Sequence, residues 1–197
     1  MKNEFDNVIH VFHQGDPDAA LTSLLNTKPS YIGISPSNDV MTPQRMVWLD
    51  EVYKKVPKEV KTHGFAVTSF TLMQSFDWFS VDSTSWFMIG MYGKLCVPLD
   101  NYGHVVCGDG VICEKKEISI SPRKLHSSDG YKTLQKTQSG FIEQVDKYIN
   151  YLCKKFPVTP QKLFDERNEA RVMCNLSMFL QFEKQPRTCQ VEVNSLF

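Results

Sequence analysis

Through the first half of the chain, apolar runs of strand length alternate with apolar positions at helical spacing. Val8-Ile9-His10-Val11-Phe12 is a strand-like run that stops at His13-Gln14-Gly15-Asp16. A helix is predicted directly after it: Asp16 suits the cap, Pro17 the first turn, and Ala20, Leu21, Leu24 and Leu25 recur at helical spacing. Lys28-Pro29-Ser30 ends that helix, and Tyr31-Ile32-Gly33-Ile34-Ser35 reads as a second strand, again polar at its end. Thr42-Pro43 opens a second helix with Met46, Leu49, Tyr53 and Val56 on one face. Lys61 to Val67 reads as a third strand, and Thr68-Ser69 turns it into a short helix through Leu72 and Met73. The fourth strand is predicted over Trp78 to Val81. Apolar strands separated by helices imply a parallel sheet, because parallel neighbours need helical crossovers.

From Lys94 to Ile120 the pattern changes to short β-branched runs separated by Asp100-Asn101-Tyr102-Gly103 and Gly108-Asp109-Gly110, the pattern of a β-meander or hairpin insertion. Helical periodicity returns at Phe141, Val145, Tyr148, Ile149 and Leu152, and again after Thr159-Pro160 with Leu163, Met173, Leu176 and Leu180. The expected organisation is a βα part carrying the site over residues 1–93, a β insertion over 94–125, and a helical part of the same domain over 126–197. The fold class is therefore α/β. A closed (β/α)8 barrel needs eight βα units and about 250 residues, and four units are visible here.

Composition narrows the possibilities. At 197 residues with 42% hydrophobic and 12% aromatic content, the chain has material for a sizeable core and is unlike a disordered protein. Lys plus Arg equals Asp plus Glu at 22 each, so no global positive field attracts nucleic acid. Such binding needs a local basic face, for which Lys115 and Lys116, Arg123 and Lys124, and Lys147 with Lys154 and Lys155 are the candidates. The six cysteines form no Cys-x-x-Cys pair and no signal peptide is read before them, which predicts reduced thiols in a cytoplasm. No apolar run reaches the length of a membrane span, so no membrane partner is expected.

The chemistry gathers at strand ends. Phe76 to Trp86 reads Phe-Asp-Trp-Phe-Ser-Val-Asp-Ser-Thr-Ser-Trp, an aromatic and β-branched run that ends in a carboxylate and three hydroxyls. In parallel α/β proteins ligands bind at the carboxyl ends of strands. There the sequence places His13 and Gln14 after the first strand, Ser35 after the second and Asp82 after the fourth, with His63 in the third. An amide, a histidine and a carboxylate on one rim suit recognition of a polar ring and attack on it. Each also suits a plainer role: Asp82 or Ser83 as a helix cap, His63 as a packed histidine beside Gly64. His10 and His13 fall on opposite faces of a strand, and His104, Cys107 and Cys113 lack an evident fourth ligand, so no metal is expected. Gly-x-Gly-x-x-Gly, Gly-Lys-Ser/Thr and Gly-x-Ser-x-Gly are all absent, and no cofactor is expected.

The series Val-Phe-His-Gln-Gly-Asp (Val11 to Asp16), Tyr-Ile-Gly-Ile (Tyr31 to Ile34), His-Gly-Phe-Ala-Val-Thr-Ser (His63 to Ser69) and Trp-Phe-Ser-Val-Asp-Ser-Thr-Ser-Trp (Trp78 to Trp86) resembles the phage-type relatives of queuine and archaeosine tRNA-guanine transglycosylases. Those relatives include enzymes that place 7-deazaguanines in phage DNA. The similarity runs from about residue 8 into Gly93-Lys94 and resumes near Arg171 to Lys184. It implies a modified TIM barrel that exchanges guanine for a deazapurine through a covalent sugar–enzyme intermediate. By resemblance, Asp82 is the nucleophile, Gln14 recognises the base, Gly33 lies in the segment whose backbone contacts the base, and His63 and Ser83 stand near the pocket.

The implied partners are nucleic acid, DNA ahead of tRNA, and a purine or 7-deazapurine base, in the host cytoplasm if the chain is phage-encoded. The family's second catalytic aspartate and an earlier base-binding aspartate lie on strands before the glutamine strand, where this chain begins, and the zinc-binding cysteine pattern of the tRNA enzymes is absent. A second chain or a second copy is therefore expected to complete the barrel, since a half barrel exposes strand edges and apolar faces. Two other readings stay open: a half-barrel that binds without turnover, and a hydrolytic N-glycosidase using the same Asp82.

Overall fold

The computed structural model describes residues 8–67 and 69–185. It divides between Ser83 and Thr84 into two compact units. In the first, the chain runs β1 (Val11–His13), α1 (Asp18–Asn26), β2 (Tyr31–Ser35), α2 (Thr42–Lys55), β3 (Lys61–Gly64), α3 (Phe70–Ser75) and β4 (Ser80–Val81). The four strands form one parallel sheet in the order β1-β2-β3-β4. The expected α/β class with a parallel sheet is what forms.

Register decides the two faces of that sheet. Val11, Gly33, His63 and Ser80 are partners across the four strands, and Phe12, Ile34, Gly64 and Val81 form the next row. Neighbouring rows point to opposite faces. Phe12, Ile32 and Ile34 join Leu21 of α1, Leu49 and Val52 of α2, Leu72 of α3 and Trp78 in the buried core. Trp78 anchors there through its indole N–H, which donates to Leu72 O at 2.9 Å. The row of Gly33, His63 and Ser80 is left for other use.

Local structure departs from the expected elements in four places. Asp16 does not cap α1: its carboxylate accepts the His13 N–H at 2.8 Å, closing the turn after β1, and Pro17 occupies the N-cap. The third strand stops at Gly64 and does not reach Val67, because Ala66 takes a left-handed conformation with φ of 53° that an extended strand cannot contain. The fourth strand shortens to Ser80–Val81, since β3 offers only His63 and Gly64 to pair with it. The first strand is Val11–His13, whereas Val8 and Ile9 are exposed.

The second unit contains α4 (Ser85–Met91), an antiparallel hairpin of β5 (Lys94–Leu99) and β6 (Glu114–Ser119), a 3-10 turn at Pro122–Lys124, and helices α5 (Tyr131–Thr137), α6 (Ser139–Lys155), α7 (Pro160–Phe164) and α8 (Glu169–Glu183). Its core joins Leu95, Val97 and Leu99 of β5 to Ile142, Val145, Tyr148, Ile149 and Leu152, the helically spaced face of α6. Two buried polar side chains tie α8 in. Arg171 donates to the carbonyls of Leu163, Asp165, Glu166 and Gly90, and burial lowers its pKa. Asn175 binds Cys96 N–H, Lys94 O and Trp86 O.

Cys96, Cys107, Cys153 and Cys174 are free thiols, but Cys113 is disulfide-bonded, which corrects the expectation of uniformly reduced cysteines. Among the described residues no helix is long and apolar enough to cross a membrane.

Candidate functional site

Because all four strands of the first unit run the same way, their carboxyl ends share one edge of the sheet. β1 delivers Gln14 there. Its backbone N–H donates to Ser35 O at 2.9 Å, and its side-chain Oε1 accepts the Ser37 N–H at 2.9 Å. The side-chain carbonyl thus holds the loop after β2, while the Nε2 donor makes no hydrogen bond among the described residues.

At the other end of the sheet, β4 delivers Asp82. Its N–H donates to Gly64 O at 3.1 Å, and its Oδ1 accepts the Ala66 N–H at 2.8 Å. The left-handed turn at Ala66 is what aims that N–H at the carboxylate, and such a conformation costs an alanine about 1 kcal/mol. Oδ2 has no hydrogen bond among the described residues, and the side chain is 56% exposed. The helix-cap alternative fails for Asp82: α4 begins at Ser85 with Thr84 at its N-cap and no side-chain cap. Ser83 follows, half-buried.

His63 stands between them in register, flanked by Gly33 on β2 and Ser80 on β4. Its Nδ1 lies 2.8 Å from Ser80 Oγ, which lies 2.7 Å from the Tyr31 hydroxyl. Its Nε2 is 3.8 Å from Asp82 Oδ1. The Phe65 ring meets the imidazole edge-on with centroids 4.5 Å apart. That same ring lies over Gly33, where a β-carbon would come within 2.5 Å of Phe65 Cε2. Gly33 itself sits in the ladder, its N–H bonded to His10 O at 2.8 Å.

The structure therefore brings His63 and Asp82 together, places Gly33 beside His63 under Phe65, and sets Gln14 on the opposite outer strand with β2 and β3 between it and Asp82. Tyr31, Ser80, Phe65 and the Ala66 N–H are members that sequence reasoning missed. Their signal was parity: Tyr31 is two residues before Gly33 and Ser80 two before Asp82, but only the folded sheet shows that Ser80 pairs with His63 and that Tyr31, paired with Lys61, reaches Ser80 through its hydroxyl. Of the aromatic residues beside Asp82, Trp78 is core, whereas Phe79 is 60% exposed with the Lys61 ammonium 4.3 Å from its ring centre. His104 faces Asp100 at 3.5 Å, and among the described residues no three His, Cys, Asp or Glu side chains are grouped to hold a metal ion.

This arrangement offers an exposed, oriented carboxylate, an imidazole next to it, and an amide donor further along the same edge. No protein-family model, curated protein or solved structure matches the chain.

Proposed function

We propose that the chain acts on nucleic acid as all or part of a base-exchange transglycosylase that replaces guanine with a 7-deazaguanine through a covalent Asp82–sugar intermediate. The observation that carries this reading is the Asp82 carboxylate at the carboxyl edge of a parallel sheet, with Oδ1 held by the Ala66 N–H and Oδ2 without a hydrogen bond among the described residues. A carboxylate that attacks the anomeric carbon displaces the base and is itself displaced by the incoming base, giving net retention. The Nε2 of Gln14, which makes no hydrogen bond among the described residues, suits donation to an acceptor on the base. In a duplex, the target nucleotide must leave the stack first.

The four parallel strands with helices packed on the Phe12, Ile32 and Ile34 face fit a TIM-barrel-derived architecture. Within that architecture β1 and β4 are end strands, and we assign to a second chain, or a second copy, the task of extending the sheet. The test is incorporation of labelled guanine or a labelled 7-deazaguanine into DNA and into tRNA, with and without host extract, beside Asp82→Asn. Asp82-dependent label supports the reading and identifies the acceptor. Release of free guanine without label uptake would instead indicate hydrolysis, and no reaction in any arm would leave a binding protein.

A further inference from the structure

We propose that His63 is the general acid and base of this exchange, with its tautomer set by Ser80 and Tyr31. The inference rests on the reading of Asp82 as nucleophile and assigns a role that the carboxylate cannot perform for itself. A departing purine needs a proton, and an entering base must lose one.

Geometry gives the two imidazole nitrogens different tasks: Nδ1 anchors the ring and Nε2 carries both proton transfers. Nδ1 is bonded to Ser80 Oγ at 2.8 Å, away from the reacting side. Nε2 lies 3.8 Å from Asp82 Oδ1, beside the atom that would join the sugar. Ser80 and Tyr31 hydroxyls can each donate or accept across their 2.7 Å contact, so the direction of the relay decides the tautomer. When Nδ1–H donates to Ser80 Oγ, and Ser80 O–H donates to the Tyr31 oxygen, the neutral imidazole has a bare Nε2 and is a base. The reverse direction puts the only proton on Nε2 and leaves no base. The first direction is the one assigned here. The titratable groups facing the imidazole are the Asp82 carboxylate from β4 and the Tyr31 phenol from β2, with Lys61 two residues earlier on β3.

Asp82 Oδ2 forms a bond to the anomeric carbon while the bond to the purine nitrogen breaks. The bonding pair leaves on the purine, which takes the Nε2 proton of the imidazolium. In the second step the ring nitrogen of the incoming base attacks the same carbon and gives its proton to the bare Nε2, and the ester bond breaks to restore the Asp82 carboxylate. Ser80 and Tyr31 are positioning residues, since they act through His63.

The test is labelled-guanine exchange across pH with His63→Gln, His63→Asn, Ser80→Ala and Tyr31→Phe, together with nitrogen-15 NMR of the imidazole. His63→Gln is expected to lower kcat about a hundredfold or more with little change in KM, and to lose one limb of the pH profile. His63→Asn keeps an amide where Nδ1 bonds Ser80, so it restores a purely structural role but not catalysis. Ser80→Ala and Tyr31→Phe are expected to lose about tenfold in kcat, the rate equivalent of one hydrogen bond. NMR should find the neutral ring protonated on Nδ1. Asp82-dependent exchange at an unchanged rate in His63→Gln, full rescue by His63→Asn, or a neutral ring protonated on Nε2 would each overturn the role of His63 and leave Asp82 standing. Absence of label with the unmodified chain, with and without host extract, would overturn the reading of Asp82 and the role of His63 with it.

Discussion

Asn175 is the most exacting test of how the second unit is held together. It is fully buried on α8, where its Oδ1 accepts the Cys96 N–H at 2.8 Å and its Nδ2 donates to Lys94 O at 3.2 Å and Trp86 O at 3.4 Å. One amide thus fastens the start of β5 and the first turn of α4. In Asn175→Leu the Cys96 N–H loses its acceptor in the interior, and the two carbonyls lose longer bonds. An orphaned buried donor costs about 1–3 kcal/mol and the carbonyls add less, so we expect a loss of roughly 3 kcal/mol.

Asn175→Asp is nearly isosteric but turns the donor end into an acceptor facing two carbonyl oxygens. Burial and those carbonyls raise its pKa in the folded state above the unfolded value of about 3.9. Well below pH 4 the group is neutral in both states, and as pH rises the unfolded chain gives up its proton first. Stability then falls by up to about 1.4 kcal/mol per pH unit until the folded carboxyl also ionises. Hydrogen exchange of the Cys96 amide reads this directly, with about a hundredfold faster exchange expected for Asn175→Leu. If Asn175→Asp matched the parent as closely at pH 7 as at pH 4, the assignment of Nδ2 to the carbonyls would be wrong.

Other consequences follow from particular contacts. Gly33→Ala should destabilise the first unit by about 1–3 kcal/mol in urea titration, because the new methyl must displace the Phe65 ring; no loss would mean that ring moves freely. Asp82→Asn should stay within about 1 kcal/mol of the parent in the same assay, since its Oδ1 can still accept the Ala66 N–H, while exchange is lost. Asp129 is held down to about 2 by the Ser127 hydroxyl and then by Lys94, so its contribution is present above the unfolded carboxyl value and disappears as pH falls toward 2. An acid titration of Asp129→Asn should accordingly be flatter between pH 4 and 2. Burial pushes the Cys96 and Cys174 thiols up to about 12, so iodoacetamide mapped by mass spectrometry should label exposed Cys107 well before either.

Much of the fold was legible in the chain because its signals are local. Helical spacing and Thr42-Pro43 marked α2, the apolar face at Val145 to Leu152 marked α6, and the strand–helix alternation implied the parallel sheet that forms. Asp82 was legible as a polar strand end, since a carboxylate and hydroxyls stop a β-branched run wherever they occur. What stayed hidden depends on pairing or on burial against type. A left-handed alanine carries no sequence mark, so neither the end of β3 at Gly64 nor the N–H that holds Asp82 could be foreseen. Arg171 and Asn175 lie on a helix whose polar residues would ordinarily face water, and only tertiary packing shows the carbonyls that make their burial tolerable. The chain by itself determined the polar residues that follow β1 and β4 and close β2. The tertiary structure decided which of them meet, because the register of Gly33, His63 and Ser80 sets Tyr31 and Ser80 around the imidazole and turns its far nitrogen toward Asp82.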